Sequence, residues 1–220
     1  MIKDNLLQIK DNLPEEVQLI AVSKTKPIEM IQEAYDAGQR AFGENRALEL
    51  ADKFEKLPKD IEWHMIGHLQ RNKVKYIAPF VHLIHGIDSP RLLAEVNKQA
   101  EKFNRVQKVL LQFHIAQESS KFGFSLEEAI EYLNGDEFNS MQNVEVCGVM
   151  GMATFTSDTR QVREEFHDLK KIFDHLKTKH FSDATEFTTI SMGMSGDYEI
   201  AISEGSTMVR VGSAIFGSRN

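Results

Sequence analysis

The sequence has little with which to staple, anchor or charge itself. One of its 220 residues is cysteine, Cys147, which excludes an internal disulfide and a cysteine-based zinc site and fits a reducing compartment. No apolar run approaches the roughly 18–20 residues that span a bilayer. The first ten residues lack the apolar core of a signal peptide and read as an amphipathic helix, expected over residues 1–14. Basic charge is in deficit: 26 Lys and Arg face 33 Asp and Glu, a formal net charge of −7, which argues against broad nucleic-acid binding. The basic clusters Arg71, Lys73, Lys75 and Lys170, Lys171, Lys177, Lys179 read as solvated helix faces. The eight histidines contain no His-Glu-x-x-His pattern, so no metal is expected. A cytoplasmic protein without a membrane partner is the expectation.

What is present is alternation. Short runs rich in β-branched residues fall near residues 19, 40, 63, 81, 108, 144, 187 and 208, each followed by a helix-sized stretch. The expected strands cover 19–22, 40–42, 63–66, 81–85 (closed by Gly86), 108–114, 144–149, 187–190 and 208–211. Pro27 and Pro90 stand where helices start. Strands alternating with helices pair in parallel, and eight units close into a ring. The expected fold class is therefore α/β, a single (β/α)8 TIM barrel over residues 1–220. An open doubly wound sheet is the alternative.

In such a barrel the chemistry sits at the C-terminal strand ends and the loops that follow. Residues 191–197 and 210–213 combine glycine with serine, so backbone N–H groups and hydroxyls could cradle a phosphate; simple turns are the competing reading. Ring closure sets strand 1 beside strand 8 and so Lys24 near Arg210. Partial burial and a cationic neighbour both depress a lysine pKa, and a neutral amine attacks an aldehyde to form a Schiff base. A phosphorylated aldehyde held by a lysine and an arginine describes pyridoxal 5′-phosphate (PLP).

Five ordered blocks sharpen this reading. They are Ala21-Val22-Ser23-Lys24-Thr25-Lys26-Pro27, Phe42-Gly43-Glu44-Asn45, the run from Trp63 to Lys73, Ser191-Met192-Gly193-Met194-Ser195, and the run from Gly205 to Gly217. With them the sequence resembles the PLP homeostasis proteins, also called proline synthetase co-transcribed homologues. These are fold-type III PLP binders built on an alanine-racemase N-terminal-domain-like barrel. The resemblance implies Lys24 as the Schiff-base lysine and Arg210 as the partner of the pyridine nitrogen. It implies Ser191, Ser195, Gly212 and Ser213 as the phosphate grip and Asn45 beside the ring. Two stretches, 113–118 and 151–155, depart from the family pattern, which bears on the open side of the pocket and not on the lysine, arginine and phosphate grip.

Arginine offers only donors and holds its proton near neutral pH, so it favours an unprotonated, weakly electron-withdrawing ring. The resemblance implies that racemases with this arginine draw a second proton-transfer group from an extra β-domain and a partner subunit, for which no room is expected before Asn220. The implied role is a monomeric PLP-binding protein of intracellular vitamin B6 and amino-acid homeostasis, serving PLP-dependent apoenzymes, without turnover and without catalytic residues of its own. The alternatives are a weakly active PLP-dependent racemase-like enzyme and a cofactor-independent class I aldolase. Lys26, Lys73 and Lys121 read as surface lysines, a second PLP contact being the rival reading. His64 and His68 either approach the cofactor or make structural hydrogen bonds. Cys147 reads as a buried small hydrophobe, and Met150 and Met152 as pocket wall or core.

Overall fold

Residues two apart on a strand share a face, so alternation sorts each strand's side chains between two environments. The computed structural model, which describes residues 1–117 and 122–217, holds eight parallel strands among those residues. They are β1 (Gln18–Val22), β2 (Ala41–Glu44), β3 (Glu62–Met65), β4 (Leu83–Ile87), β5 (Gln107–Gln112), β6 (Val144–Met150), β7 (Thr189–Met194) and β8 (Met208–Val211). Each pairs with its sequence neighbour, and β1 pairs with β8 with Ile20 opposite Arg210, closing the barrel. An α/β (β/α)8 barrel is thus the fold.

The helices are α1 (Ile2–Asn12), α2 (Ile28–Asp36), α3 (Ala47–Lys56), α4 (Val74–Ile77), α5 (Pro90–Lys102), α6 (Leu126–Leu133), α7 (Asp136–Asn139), α8 (Thr159–Lys179), α9 (Tyr198–Ser203) and α10 (Ser213–Phe216). Between sheet and helices lies the larger core, including Leu19, Phe42, Trp63, Met65, Ile84, Val109 and Val211. Inside the ring lies a smaller cluster of Ile20, Ala41, Leu83, Leu110, Cys147, Met150 and Met208. His64, His85, Ser191 and Arg210 are buried on the same inward-facing strand positions. Cys147 is a small buried group whose thiol burial pushes up to about 11. No helix among the described residues is long and apolar enough to cross a membrane.

Boundaries differ from expectation in informative ways. Helix α1 stops at Asn12 because Leu13, extended at φ −89° and ψ 139°, precedes Pro14, and proline disfavours helical backbone in the residue before it. Gly86 lies within β4, whose pairing with β5 continues past a bulge between Ile84 and Ile87. Strand β7 begins and ends later than expected, which puts Ser191 inside a strand. The stretch 69–76 holds a 3-10 turn, Arg71–Lys73, ahead of α4.

One glycine carries the bulge that lets β6 pair on both sides. The register between β5 and β6 jumps from Val109–Val146 to Leu110–Gly148, and Gly148 sits at φ +152°. A Cβ there would lie 1.8 Å from the Thr189 carbonyl oxygen, a clash with backbone that no rotamer relieves. Gly148→Ala is expected to destabilise the barrel by about 4 kcal/mol, the upper range of single-site effects, as read by a shift in the urea unfolding midpoint.

Candidate functional site

At the C-terminal mouth of the barrel is a cavity of about 720 Å³ lined by Lys24, Asn45, Ser195, Arg210, Gly212 and Ser213. Six of the seven residues singled out by sequence therefore converge on one space. Ser191 does not line it. Its position within β7 turns the side chain into the barrel, where it is fully buried and its hydroxyl is engaged by two other residues. In that position its hydroxyl accepts from Arg210 and faces His85 rather than the cavity.

Arg210 enters the interior from β8 and is 4% exposed. Its Nη1 donates to Ser191 Oγ at 2.5 Å and its Nη2 to the Gly151 carbonyl at 3.1 Å. Burial lowers its pKa to about 10, against the pull of Asp197, so the guanidinium stays charged at neutral pH. Behind Ser191 the polar chain continues: His85 Nδ1 lies 2.8 Å from Ser191 Oγ, and His85 Nε2 lies 2.9 Å from His64 Nδ1. Burial lowers the pKa of both imidazoles, that of His64 to about 3, so both rings are neutral. His64 makes one side-chain hydrogen bond, to His85, away from the cavity. His68, half exposed, faces Asp88 at 3.0 Å.

Lys24 stands in a tight turn just beyond β1, closed by the Lys26 N–H donating to the Ser23 carbonyl at 3.0 Å. Thr25 beside it adopts φ +63°, a left-handed conformation unfavourable for a β-branched residue. What holds the turn is a polar cluster outside the ring, between β2 and α3. Thr25 N–H donates to Glu49 Oε1 at 2.6 Å, and Ser23 Oγ to Glu44 Oε1 at 2.6 Å. Lys53 Nζ donates to Glu44, to Glu49 and to the Ser23 carbonyl at 2.7–2.8 Å. Both sides of Lys24 are thereby tied to one ammonium group. Glu44 and Lys53 are nearly inaccessible, at 0% and 6% side-chain exposure. Sequence reasoning missed this pair because Glu44 ends a strand and Lys53 lies nine residues on; only helix–strand packing unites them.

The rest of the rim is set by backbone contacts. Gly212 N–H donates to Ser195 Oγ at 3.2 Å, joining the β7 and β8 ends. Gly67 approaches Asn45 so closely that a Cβ would meet the Asn45 carbonyl oxygen at 2.6 Å, so this glycine lets Asn45 hold its place. Met152, Thr154 and Phe155 line the cavity, whereas none of residues 113–117 does. Yet Gly151 also reaches the closed side through its carbonyl, a contact indifferent to side-chain identity. Glu165 anchors that loop by accepting from Thr154 N–H at 2.6 Å and Thr154 Oγ1 at 2.7 Å. Met150 is core, 1% exposed. Lys26 lines the cavity and donates to the carbonyls of Phe216 and Gly217; Lys73 lies outside the lining, 5.6 Å over the Tyr76 ring. Glu118 and Lys121 lie outside the described residues.

A parallel barrel with lysine and arginine at one mouth defines a class, and the family model for the N-terminal domain of alanine racemase matches residues 1–220. Alanine racemase from Clostridium difficile 630 shares this fold, with a TM-score of 0.75 at 15% identity over 99% of this chain and 56% of that one. More specific likenesses exist. The pyridoxal phosphate homeostasis protein of Aquifex aeolicus is 40% identical over 92% of this chain and 87% of that protein, and the Escherichia coli K12 one 37% identical over 100% and 97%. PipY of Synechococcus elongatus PCC7942, solved with PLP bound, superposes with a TM-score of 0.89 at 33% identity, covering 99% of this chain and all of that one. The chain belongs to the pyridoxal phosphate homeostasis protein family.

Two predictions follow from the cluster beneath Lys24. Lys53→Met strands the Glu44 carboxylate in a buried setting, and above neutral pH it should cost about 3–5 kcal/mol of unfolding free energy, measured by urea titration. Glu44 itself has its pKa raised by burial from 4.5 to about 7, with Lys53 pulling the other way. Between those values the folded state holds a proton that the unfolded state has released, so this group's contribution to stability falls as pH rises. Across that window, thermal melts of Glu44→Gln should show a shallower decline with pH than those of the unaltered protein.

Proposed function

We propose that this chain binds PLP in the cavity at the barrel mouth and acts in intracellular PLP homeostasis, holding the cofactor without turnover. The observation that carries the reading is the meeting of Lys24, Arg210 and the Ser195–Gly212–Ser213 rim in one cavity. This donor set fits the group: an amine, a permanently charged guanidinium and hydroxyls beside a glycine backbone suit an anionic ester and a ring nitrogen that accepts. When bound, PLP supplies an aldehyde that condenses reversibly with amines and a ring that withdraws electrons.

Each residue then has a separable task. Lys24 supplies the amine, and the Glu44–Lys53–Glu49 cluster fixes the turn from which it extends. Arg210 donates toward the ring nitrogen and withholds its proton, which keeps the ring a poor electron sink. Ser195, Gly212 and Ser213 hold the phosphate, and Asn45 flanks the ring. Asp197, the acidic group of the cavity lining, already accepts the Met194 N–H at 2.6 Å. Delivery to PLP-dependent apoenzymes, by a monomer in the cytoplasm, completes the reading.

Borohydride reduction of the PLP-loaded protein followed by peptide mass spectrometry should place the reduced cofactor label on Lys24. Lys24→Ala should lose the visible absorption of lysine-bound cofactor. A label on another lysine, or an unchanged band in the variant, would refute the assignment. Racemisation or decarboxylation of an amino acid at enzymatic rates would refute the storage reading.

A further inference from the structure

At the opposite, N-terminal end of the barrel a second cluster lies outside the lining of the cofactor cavity. Glu62 and His64 lie two apart on β3 and so share its inward face. His82 enters from the residue just before β4, where its backbone N–H donates to the Trp63 carbonyl at 2.8 Å. One ligand atom from each of Glu62, His64 and His82 lies within 4.8 Å of the others. The decisive detail is His64: its residue is fully buried, its Nδ1 is taken by His85, and its Nε2 is buried without any hydrogen-bond partner. An unsatisfied buried imidazole nitrogen is costly and wants an explanation.

We infer that Glu62, His64 and His82 form a binding site for a divalent cation of the zinc class. Two imidazoles and one carboxylate with an open position suit zinc or cobalt(II) rather than calcium or magnesium. Metal–ligand lengths of roughly 2.0–2.2 Å require ligand atoms about 3.4 Å apart. Exposed His82 and half-buried Glu62 can close that gap by rotating, while His64 stays fixed. The outer shell is already built. With Nε2 on the metal, His64 carries its proton on Nδ1 and donates it to His85 Nε2; His85 then donates from Nδ1 to Ser191 Oγ, which also accepts from Arg210. A ligating histidine steadied through its other nitrogen is the usual arrangement. The cations nearby are engaged elsewhere: Lys108 pairs with Glu186 at 2.9 Å, and Arg105 donates to the carbonyls of Ala78 and Val81.

The test uses tag-free, full-length protein stripped with a chelator. Zinc would be titrated in competition with a chromophoric chelator, and cobalt(II) followed by its visible absorption, which intensifies in a four-coordinate site. One equivalent should bind, with affinity at least about tenfold weaker in both His82→Ala and Glu62→Gln, whose side chains reach the surface and whose folding circular dichroism would verify. His64→Gln should abolish binding; should it fail to fold, the two surface variants decide. Absence of stoichiometric binding by the folded protein would overturn the site. So would undiminished affinity in His82→Ala, which would put the ion on other histidines such as His175 and His180.

Discussion

A guanidinium carried into the middle of a barrel constrains everything around it. Removing a cation from water is expensive unless its donors are satisfied and the field nearby is negative. Arg210 meets both demands with one hydroxyl, one backbone carbonyl and the electrostatic pull of Asp197. Ser191 can serve only because β7 extends through it, and Gly151 only because β6 ends where its carbonyl points inward. The polar chain His64–His85–Ser191 then fills space that aliphatic side chains would fill in an ordinary barrel core. The arginine thus dictates the composition of strands far from it in sequence.

The second polar cluster lies on the other side of the sheet and serves a different end. Lys24 needs to reach the cavity from a short turn containing a residue at positive φ, and such a turn does not hold itself. Glu44, Glu49 and Lys53 hold it from beneath, with the pair Glu44–Lys53 shut away from water. The inner arginine and the outer lysine cluster therefore grip one cavity from opposite faces of β1, β2 and β8. Apolar plugging by Ile20, Leu83, Leu110 and Met208 occupies the layer below, so burial stabilises the barrel where chemistry is not needed.

The proximity of Lys24 and Arg210 was legible because ring closure makes strands 1 and 8 neighbours whatever their separation in sequence. The gathering of Ser195, Gly212 and Ser213 at the cavity was legible from glycine–serine runs at two adjacent strand ends. The inward placement of Ser191 was not legible, because β7 begins at Thr189 and not at Phe187, and a shift of strand limits moves a side chain from a loop into the interior. His85 gave no signal, since a histidine in an apolar strand reads equally well as a satisfied core residue. Glu62, His64 and His82 match no spacing rule, because their proximity depends on two strands meeting.

The sequence by itself determined the count and order of strands, their parallel pairing, and the mouth of the barrel at which lysine, arginine and the serine–glycine loops gather. Those follow from local periodicity and from the small number of ways eight β/α units can close. Only the tertiary structure decided which polar groups face inward, which serine steadies the arginine, and how Lys53 reaches past Glu44 to the turn bearing Lys24. These relations rest on strand limits and helix–strand contacts between distant residues, and a one-residue change in either rewrites them without altering the hydrophobic pattern.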